Sequence, residues 1–327
     1  MILAGDIGGT KTSLALFERE GDRLKILSQH RFESRKYETL GDIIHDFRQM
    51  YVDILITSAS FAIAGPIIEQ RCRTTNLPWE ISAHELKDLL NITQVFLLND
   101  LEATAYGMLC LDKDEFINLN PNAVYAKGNC AVIAAGTGLG ESMLYYDGTS
   151  YHPIASEGGH CDFAPLNEQQ DALLLWLRQH YPKHVSLERI LSGPGISALY
   201  DFLHESGFAP ESDRMKNLSE KEDKNGHISK NALEFHDPLC IETLRLFCEI
   251  YGAETGNLAL KTMSLGGVYI GGGIAPKILP FLQSDAFINA FVAKGRFEPM
   301  LRNISVKVSL NPETALLGAA HFAKRYN

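Results

Sequence analysis

Apolar and polar positions along the chain switch between a period of two and a period near 3.6, and the switches predict the elements. Ile2-Leu3-Ala4 predicts a strand that enters a turn at Gly8-Gly9-Thr10, and Ser13-Leu14-Ala15-Leu16-Phe17 leaves it in strand alternation. A third strand is expected through His30-Arg31-Phe32. Leu40, Ile43, Ile44 and Phe47 recur at helical spacing and predict a helix from Leu40 to Tyr51. Ile54-Leu55-Ile56-Thr57-Ser58-Ala59 is an apolar run of strand length, as a buried parallel strand would be. Ser82 followed by Glu85 predicts a capping box opening a helix through Leu89-Leu90. Gln94-Val95-Phe96-Leu97-Leu98 predicts a short buried strand ending at Asn99-Asp100, with a helix from Leu101 to Met108 directly after it. Strands alternating with helices imply an α/β architecture whose strand ends carry the chemistry.

The opening pattern occurs twice. Cys130 to Ala135 is an apolar strand, Gly136-Thr137-Gly138-Leu139-Gly140 a Gly/Thr turn, and Ser142 to Tyr146 a second strand. Two copies of strand, Gly/Thr turn and strand imply two similar lobes facing one another. The charged segment Glu211 to Lys224 reads as a solvated linker or flexible insertion. A last α/β unit runs from Val268-Tyr269-Ile270 through Gly271-Gly272-Gly273 to a helix after Pro276. The Ala/Leu-rich helix around Thr314 to Lys324 is expected to pack back on the first lobe.

Composition narrows the classes. At 327 residues, 45% AVILMFWYC and 21% charged, the chain is sized for two folded lobes and not for disorder. Forty acidic against 30 basic residues, a formal net charge of -10, disfavour a nucleic-acid binder, which needs a basic face. No apolar run nears the roughly 20 residues that cross a bilayer, and the first residues lack the basic n-region of a signal peptide. The expectation is a cytoplasmic protein that binds neither nucleic acid nor membrane. Cys72, Cys110, Cys130, Cys161, Cys240 and Cys248 are scattered with no C-x-x-C pair, and read as reduced, buried small hydrophobes.

Two nucleotide motifs fail on context. Gly5 to Thr12 nearly matches a P-loop, but Thr10 stands where the second glycine belongs, and the residues after it alternate like a strand where a P-loop opens a helix. Gly136 to Gly140 has G-x-G-x-G spacing, also followed by a strand, which excludes a dinucleotide fingerprint. What remains is a pair of β-hairpins facing a polyphosphate, with glycine N–H groups and threonine hydroxyls as donors. Either turn alone is better read as a tight hairpin; the pair reverses that preference. Asp6 suits a hydrated Mg²⁺, which favours one or two carboxylates plus water. Asp100, at a buried strand's C-terminal end, reads alone as a helix N-cap, and functionally as a carboxylate that takes a proton from an attacking hydroxyl, with Asn99 on the same substrate. Glu157-Gly158-Gly159-His160 places an acid and an imidazole beside two glycines, a combination suited to polyol hydroxyls. A zinc site at His160, Cys161 and Asp162 lacks a fourth ligand at sensible spacing. Glu188 reads in isolation as an ordinary helix acid.

Taken in order, Asp6-Ile7-Gly8-Gly9-Thr10, Leu98-Asn99-Asp100, Ala135 to Gly140, Glu157 to Pro165, Glu188 to Gly195 and Gly271-Gly272-Gly273-Ile274 resemble the bacterial glucokinases over nearly the whole chain. The resemblance implies the two-lobed actin/hexokinase-like (ribonuclease H-like) α/β fold with an interlobe active-site cleft. It also implies a small domain of residues 1–110 completed by a helix in 311–327, and a large domain of 111–310. The implied activity is transfer of the ATP γ-phosphoryl group to the 6-hydroxyl of glucose, the first step of glycolysis. Asp100 would be the base, with Asn99, Glu157, His160 and Glu188 on the other sugar hydroxyls. Asp6, Gly8, Gly9, Thr10, Gly136, Thr137 and Gly138 would hold the ATP phosphates, Asp6 binding Mg²⁺ through water, and Gly272 and Gly273 would lie near the adenosine. A homodimer is implied as well. The chain departs from the ROK group of sugar kinases and repressors: Cys161-Asp162-Phe163-Ala164-Pro165 replaces that group's cysteine-rich zinc motif. No structural zinc is therefore expected. No DNA-binding extension is expected either, since the first phosphate turn starts at Asp6. Fructose, mannose and acylated amino sugars stay open as acceptors, because kinases of this fold share the base. An idle sugar sensor is disfavoured by the presence of both Asp6 and Asp100.

Overall fold

A computed structural model describes residues 1–325 except Asp22, Thr75, Tyr125, Glu220 and Lys221. In chain order the elements are β1 (Ile2–Ile7), β2 (Lys11–Glu20), β3 (Arg23–Glu33), α1 (Leu40–Gln49), β4 (Ser58–Ile63), β5 (Arg71–Arg73), β6 (Glu80–Ser82), α2 (Ala83–Leu90), β7 (Gln94–Asn99), α3 (Asp100–Met108) and β8 (Phe116–Asn118). They continue with β9 (Cys130–Ala135), β10 (Leu139–Tyr146), β11 (Tyr151–Ser156), α4 (Glu168–His180), α5 (Gly193–Glu205), α6 (Asp213–Lys216), α7 (Lys224–Glu234) and α8 (Pro238–Thr262). The last are β12 (Gly267–Gly271), α9 (Leu279–Leu282), α10 (Asp285–Val292), α11 (Glu298–Leu301), β13 (Val306–Ser309) and α12 (Thr314–Lys324). The chain divides into two units, one of residues 1–115, 153–155 and from 311 onward, the other of 116–152 and 156–310. No helix among the described residues is long and apolar enough to cross a membrane.

The first unit is built on a sheet ordered β3-β2-β1-β4-β7, with β1 antiparallel to β2 and parallel to β4, and β4 parallel to β7. Alternation along β1 sends Leu3 and Ile7 to one core with Phe47, Leu86 and Trp79, and Ile2 and Ala4 to another with Ala103, Leu316 and Ala320. Asp6 shares the parity of Ile2 and Ala4, so it faces α3 and α12. Those two helices cross in close contact. A side chain at Gly107 would strike the Thr314 carbonyl, and one at Gly318 the Ala103 carbonyl, so only glycine permits this approach.

The second unit carries a sheet ordered β11-β10-β9-β12-β13-β8, again an antiparallel hairpin (β9/β10) followed by parallel strands (β9, β12, β13). The repeat of strand, Gly/Thr turn and strand is thus a repeat of sheet topology. Its core gathers Ile133, Leu199, Tyr200, Phe247, Tyr251, Phe287 and Val308 around α8.

Several local expectations are corrected. The apolar run at Ile54 is not the strand: Leu55 is 78% exposed, and β4 begins at Ser58, paired with Ile2. Ser58, Ser60 and Ala62 form one face of β4, and their small size lets α12 lie close, which hides the strand from a search for bulky residues. Ser82 stands at the N-cap of α2 but makes no side-chain capping bond; the Ala83 amide, first of the helix, donates to the Gln70 carbonyl (3.0 Å). A full capping box forms instead at Thr39 and Asp42. The helix expected after Pro276 is a 3-10 turn over Ala275–Ile278 leading into the short α9. The segment from Glu211 to Lys224 is no free linker: Glu211 accepts from the Tyr200 hydroxyl (3.0 Å), Met215 is buried, and Lys224 pairs with Asp201. Its Glu220 and Lys221 lie outside the described residues, as do the last two positions of the implied 311–327 segment. Cys72, Cys130, Cys240 and Cys248 are buried thiols, whereas Cys110 and Cys161 are exposed because each follows the end of a helical turn.

Candidate active site

In the first unit, the turn Gly8-Gly9-Thr10 is closed by the Gly8 amide donating to the Lys11 carbonyl (3.0 Å). Ser34 braces it from behind, its hydroxyl donating to the Gly8 carbonyl (2.7 Å) and its amide to the Thr10 carbonyl (3.1 Å). The Thr10 side chain is left exposed. Asn99 ends β7 and is itself the N-cap of α3: its Oδ1 accepts from the Leu101 amide (2.9 Å) and its Nδ2 donates to the Gly65 carbonyl (3.1 Å). The capping role considered for Asp100 therefore falls on its neighbour. Asp100 is the first residue of α3, with Oδ1 also accepting from the Leu101 amide (3.0 Å).

These carboxylates are coupled. Burial, then the charges of Asp100 and Glu313, pushes the Asp6 carboxyl up to about 6. Glu313 sits just before α12 and is held by Arg31 and by Gln29 (2.7 Å). Glu313 escaped sequence reading because nothing near it in the chain marks it; only the packing of α12 brings it to Asp6. The negative charges of Asp100 and Glu313 act on Asp6, and Arg31 answers only that of Glu313. The residues thus fit a hydrated Mg²⁺ at Asp6.

In the second unit, the turn after β9 is closed by the Gly136 amide donating to the Gly138 carbonyl (2.8 Å), leaving Thr137 exposed. The Gly136 carbonyl in turn accepts from the Gly193 amide (2.8 Å), at the start of α5. Glu188 lies in a 3-10 turn, Leu187–Arg189, and its Oε2 accepts from the Leu139 amide (3.0 Å). Ser192 caps α5 and donates to the Glu188 carbonyl (2.7 Å). Glu157 and His160 flank a second 3-10 turn, Gly158–His160, whose Gly159 packs so tightly on the Leu139 carbonyl that any side chain there would collide. Leu139, unremarked in the sequence, is therefore the point at which the Gly136–Gly138 turn, Glu188 and the Glu157–His160 turn meet.

A short antiparallel pairing holds this arrangement. The Phe163 amide donates to the Val185 carbonyl (3.0 Å), the Leu187 amide donates to the Cys161 carbonyl (2.9 Å), and His184 pairs with Asp162 (3.1 Å). His160 borders an open hollow of about 330 Å³ that also involves His180, Lys183, His184 and Arg189. Gly272 has φ +83° and presses on the Ala135 carbonyl, with Gly273 beside it in open space. Both follow β12, next to β9 in the sheet.

Each unit thus pairs a Gly/Thr turn with polar side chains: Asp6 and Asp100 in the first, Glu157, His160 and Glu188 in the second. The chain matches the glucokinase family model over residues 3–326. A glucokinase of Nostoc punctiforme is 41% identical to it over 338 residues, with 99% of each chain covered. The solved structure of a glucokinase from an Antarctic psychrotroph superposes with a TM-score of 0.86 at 31% identity, covering 99% of this chain and 98% of that one. A Streptomyces griseus glucokinase of the ROK family, solved with glucose and AMPPNP, shares the fold less closely: its TM-score is 0.68 at 18% identity, with 99% of each chain covered. The actin/hexokinase-like α/β fold implied by the sequence is the fold observed, and the chain belongs to the glucokinase family, on its non-ROK side.

Proposed function

We propose that this protein transfers the γ-phosphoryl group of ATP to the 6-hydroxyl of glucose, with Asp100 as the general base. The observation that supports this most directly is the mutual influence of Asp6, near the end of β1, and Asp100, at the start of α3, beside the exposed turn that follows β1, within a family match over residues 3–326. Phosphoryl transfer needs positioning and charge neutralisation more than covalent chemistry from the protein. Asp100 accepts the proton of the attacking hydroxyl. Asn99, Glu157, His160 and Glu188 orient the sugar through its remaining hydroxyls. The glycine amides and threonine hydroxyls of the two turns, at Gly8, Gly9, Thr10, Gly136, Thr137 and Gly138, hold the phosphates, and Gly272 and Gly273 leave room for the adenosine. Mg²⁺, when bound with ATP, supplies positive charge against the triphosphate; Asp6 orients it through water.

A coupled assay of ATP turnover across glucose, fructose, mannose and N-acetylated amino sugars tests the reading. Turnover is expected with glucose; glucose binding without turnover supports a sensor instead. Glu157→Gln and His160→Ala should each raise the KM for glucose, with losses of roughly 1.5–3 kcal/mol per hydrogen bond to a charged partner. Unchanged KM with collapsed thermal stability would reassign both residues to structure. We also propose a cytoplasmic homodimer with residues 1–110 plus the 311–327 segment as its small domain. Light scattering should then give about twice the 36.3 kDa chain mass, and a monomer mass would refute the dimer.

A further inference from the structure

Under the Glu157–His160 turn lies a carboxylate that phosphoryl transfer does not use. Glu141, on β10 opposite Ile133, is 1% exposed, and its Oε1 has no hydrogen-bond partner among the described residues. Its Oε2 fills the space that a side chain at Gly158 would need, with the Ser156 hydroxyl bordering the same space and accepting from the Gly158 amide (2.8 Å). The other neighbours come from α8. Glu254 is buried and held by Lys261 (3.2 Å) and Asn257 (2.8 Å), and Tyr251 is buried with its hydroxyl directed at the Ile133 carbonyl (3.4 Å). Beyond them, Lys294 faces Glu254 and Lys261, and Cys161 faces Lys261. Burial, and then the charge of Glu254, pushes the Glu141 carboxyl up to about 7, while Lys261 pulls it down.

We infer that Glu141 is a positioning residue for the sugar-binding turn: its carboxyl supports Gly158, and through Gly158 the aim of Glu157 and His160, differently when protonated and when ionised. The inference rests on Glu157 and His160 contacting the sugar. The physical argument is one of compliance. An ionised Glu141 is a buried charge beside a second carboxylate, with one oxygen unpaired, and it is stabilised by any movement that admits water. On one side it meets α8 and the sheet, which are packed. On the other it meets the backbone of a short turn and the Ser156 hydroxyl, with no side chain at Gly158 to brace it. The turn is what yields. Protonation removes the charge and lets the turn settle, so the tight-binding arrangement belongs to the lower pH.

The test is the pH dependence of glucose KM and kcat between pH 6 and 8.5, with ATP saturating, for the wild type and for Glu141→Gln. Wild-type KM for glucose should rise about fivefold or more across pH 7, with kcat and the KM for ATP little changed. Glu141→Gln, neutral at every pH and nearly isosteric, should keep the low KM throughout and melt at higher temperature than the wild type at pH 8. Gly158→Ala should raise the glucose KM, and adding Glu141→Ala should restore it by emptying the space the new methyl needs. A flat wild-type KM, a Glu141→Gln KM that follows the wild type at each pH, or absence of rescue in the double variant overturns the inference. If Glu157→Gln leaves the glucose KM unmoved, the sugar assignment itself fails, and that result is separable from a failure of Glu141 alone.

Discussion

Asp100→Asn is expected to lower kcat by about 10²-fold or more while leaving glucose binding nearly intact. The amide keeps the shape and the acceptor oxygen toward the Leu101 amide, so the start of α3 is undisturbed. Asn99, which performs the capping, is untouched. What disappears is the capacity to take a proton, so the loss falls on kcat and not on KM. Isothermal titration with glucose beside steady-state kinetics separates the two. A near-normal kcat would show that Asp100 serves only the helix, and equal losses in binding and turnover would point to a collapsed site.

The second large effect is expected at Asp6, where stability and activity should move in opposite directions. A carboxyl raised to about 6 in the folded state from 3.8 favours folding below pH 4 and loses that contribution as pH rises toward 6. Above pH 6 the free protein carries the full penalty, on the order of 3 kcal/mol at 1.36 kcal/mol per unit. Asp6→Asn removes the charge that burial and its two acidic neighbours oppose. The variant free of nucleotide should therefore melt several degrees higher than the wild type at pH 8, with the advantage shrinking by pH 5. Its turnover should fall by about tenfold or more, and saturating it should take more magnesium, because the carboxylate that orients the hydrated metal is gone. A lower melting temperature at pH 8, or unchanged magnesium dependence, would contradict this account.

What the sequence made legible follows a physical rule. Both hairpins, α1 and the strand ending at Asn99 are set by local periodicity, and their residues sit where that periodicity puts them. Six ordered motifs likewise sufficed to name the candidate site. The misses are non-local. β4 has small residues at Ser58, Ser60 and Ala62, on the face against which a helix more than two hundred positions away packs. Glu141 reads as one polar position in a strand, and nothing nearby says that α8 will bury it beside Glu254. Leu139 and Glu313 owe their roles to neighbours supplied by Glu188, Gly159 and the packing of α12. Ser82 shows the reverse error: the local signal placed the start of the helix correctly, yet the hydroxyl makes no capping bond there.

The glycine-mediated crossing of α3 and α12 also bears on how the protein is made. About two hundred residues separate the end of α3 from the start of α12, and the ribosome takes on the order of 10–40 s to add that much chain. Until α12 emerges, the face of the first sheet that carries Ile2, Ala4 and Ala62 is covered by α3 alone, and α3 lacks the helix that it crosses at Gly107. The first half of the nascent chain must therefore wait in a partly open state, with an apolar sheet face available to chaperones. The helix that starts at the proposed catalytic base gains its last packing partner only when α12 docks. Termination after Leu310 but before Thr314 should consequently leave a chain whose second unit can fold around α8 but whose first unit cannot complete itself.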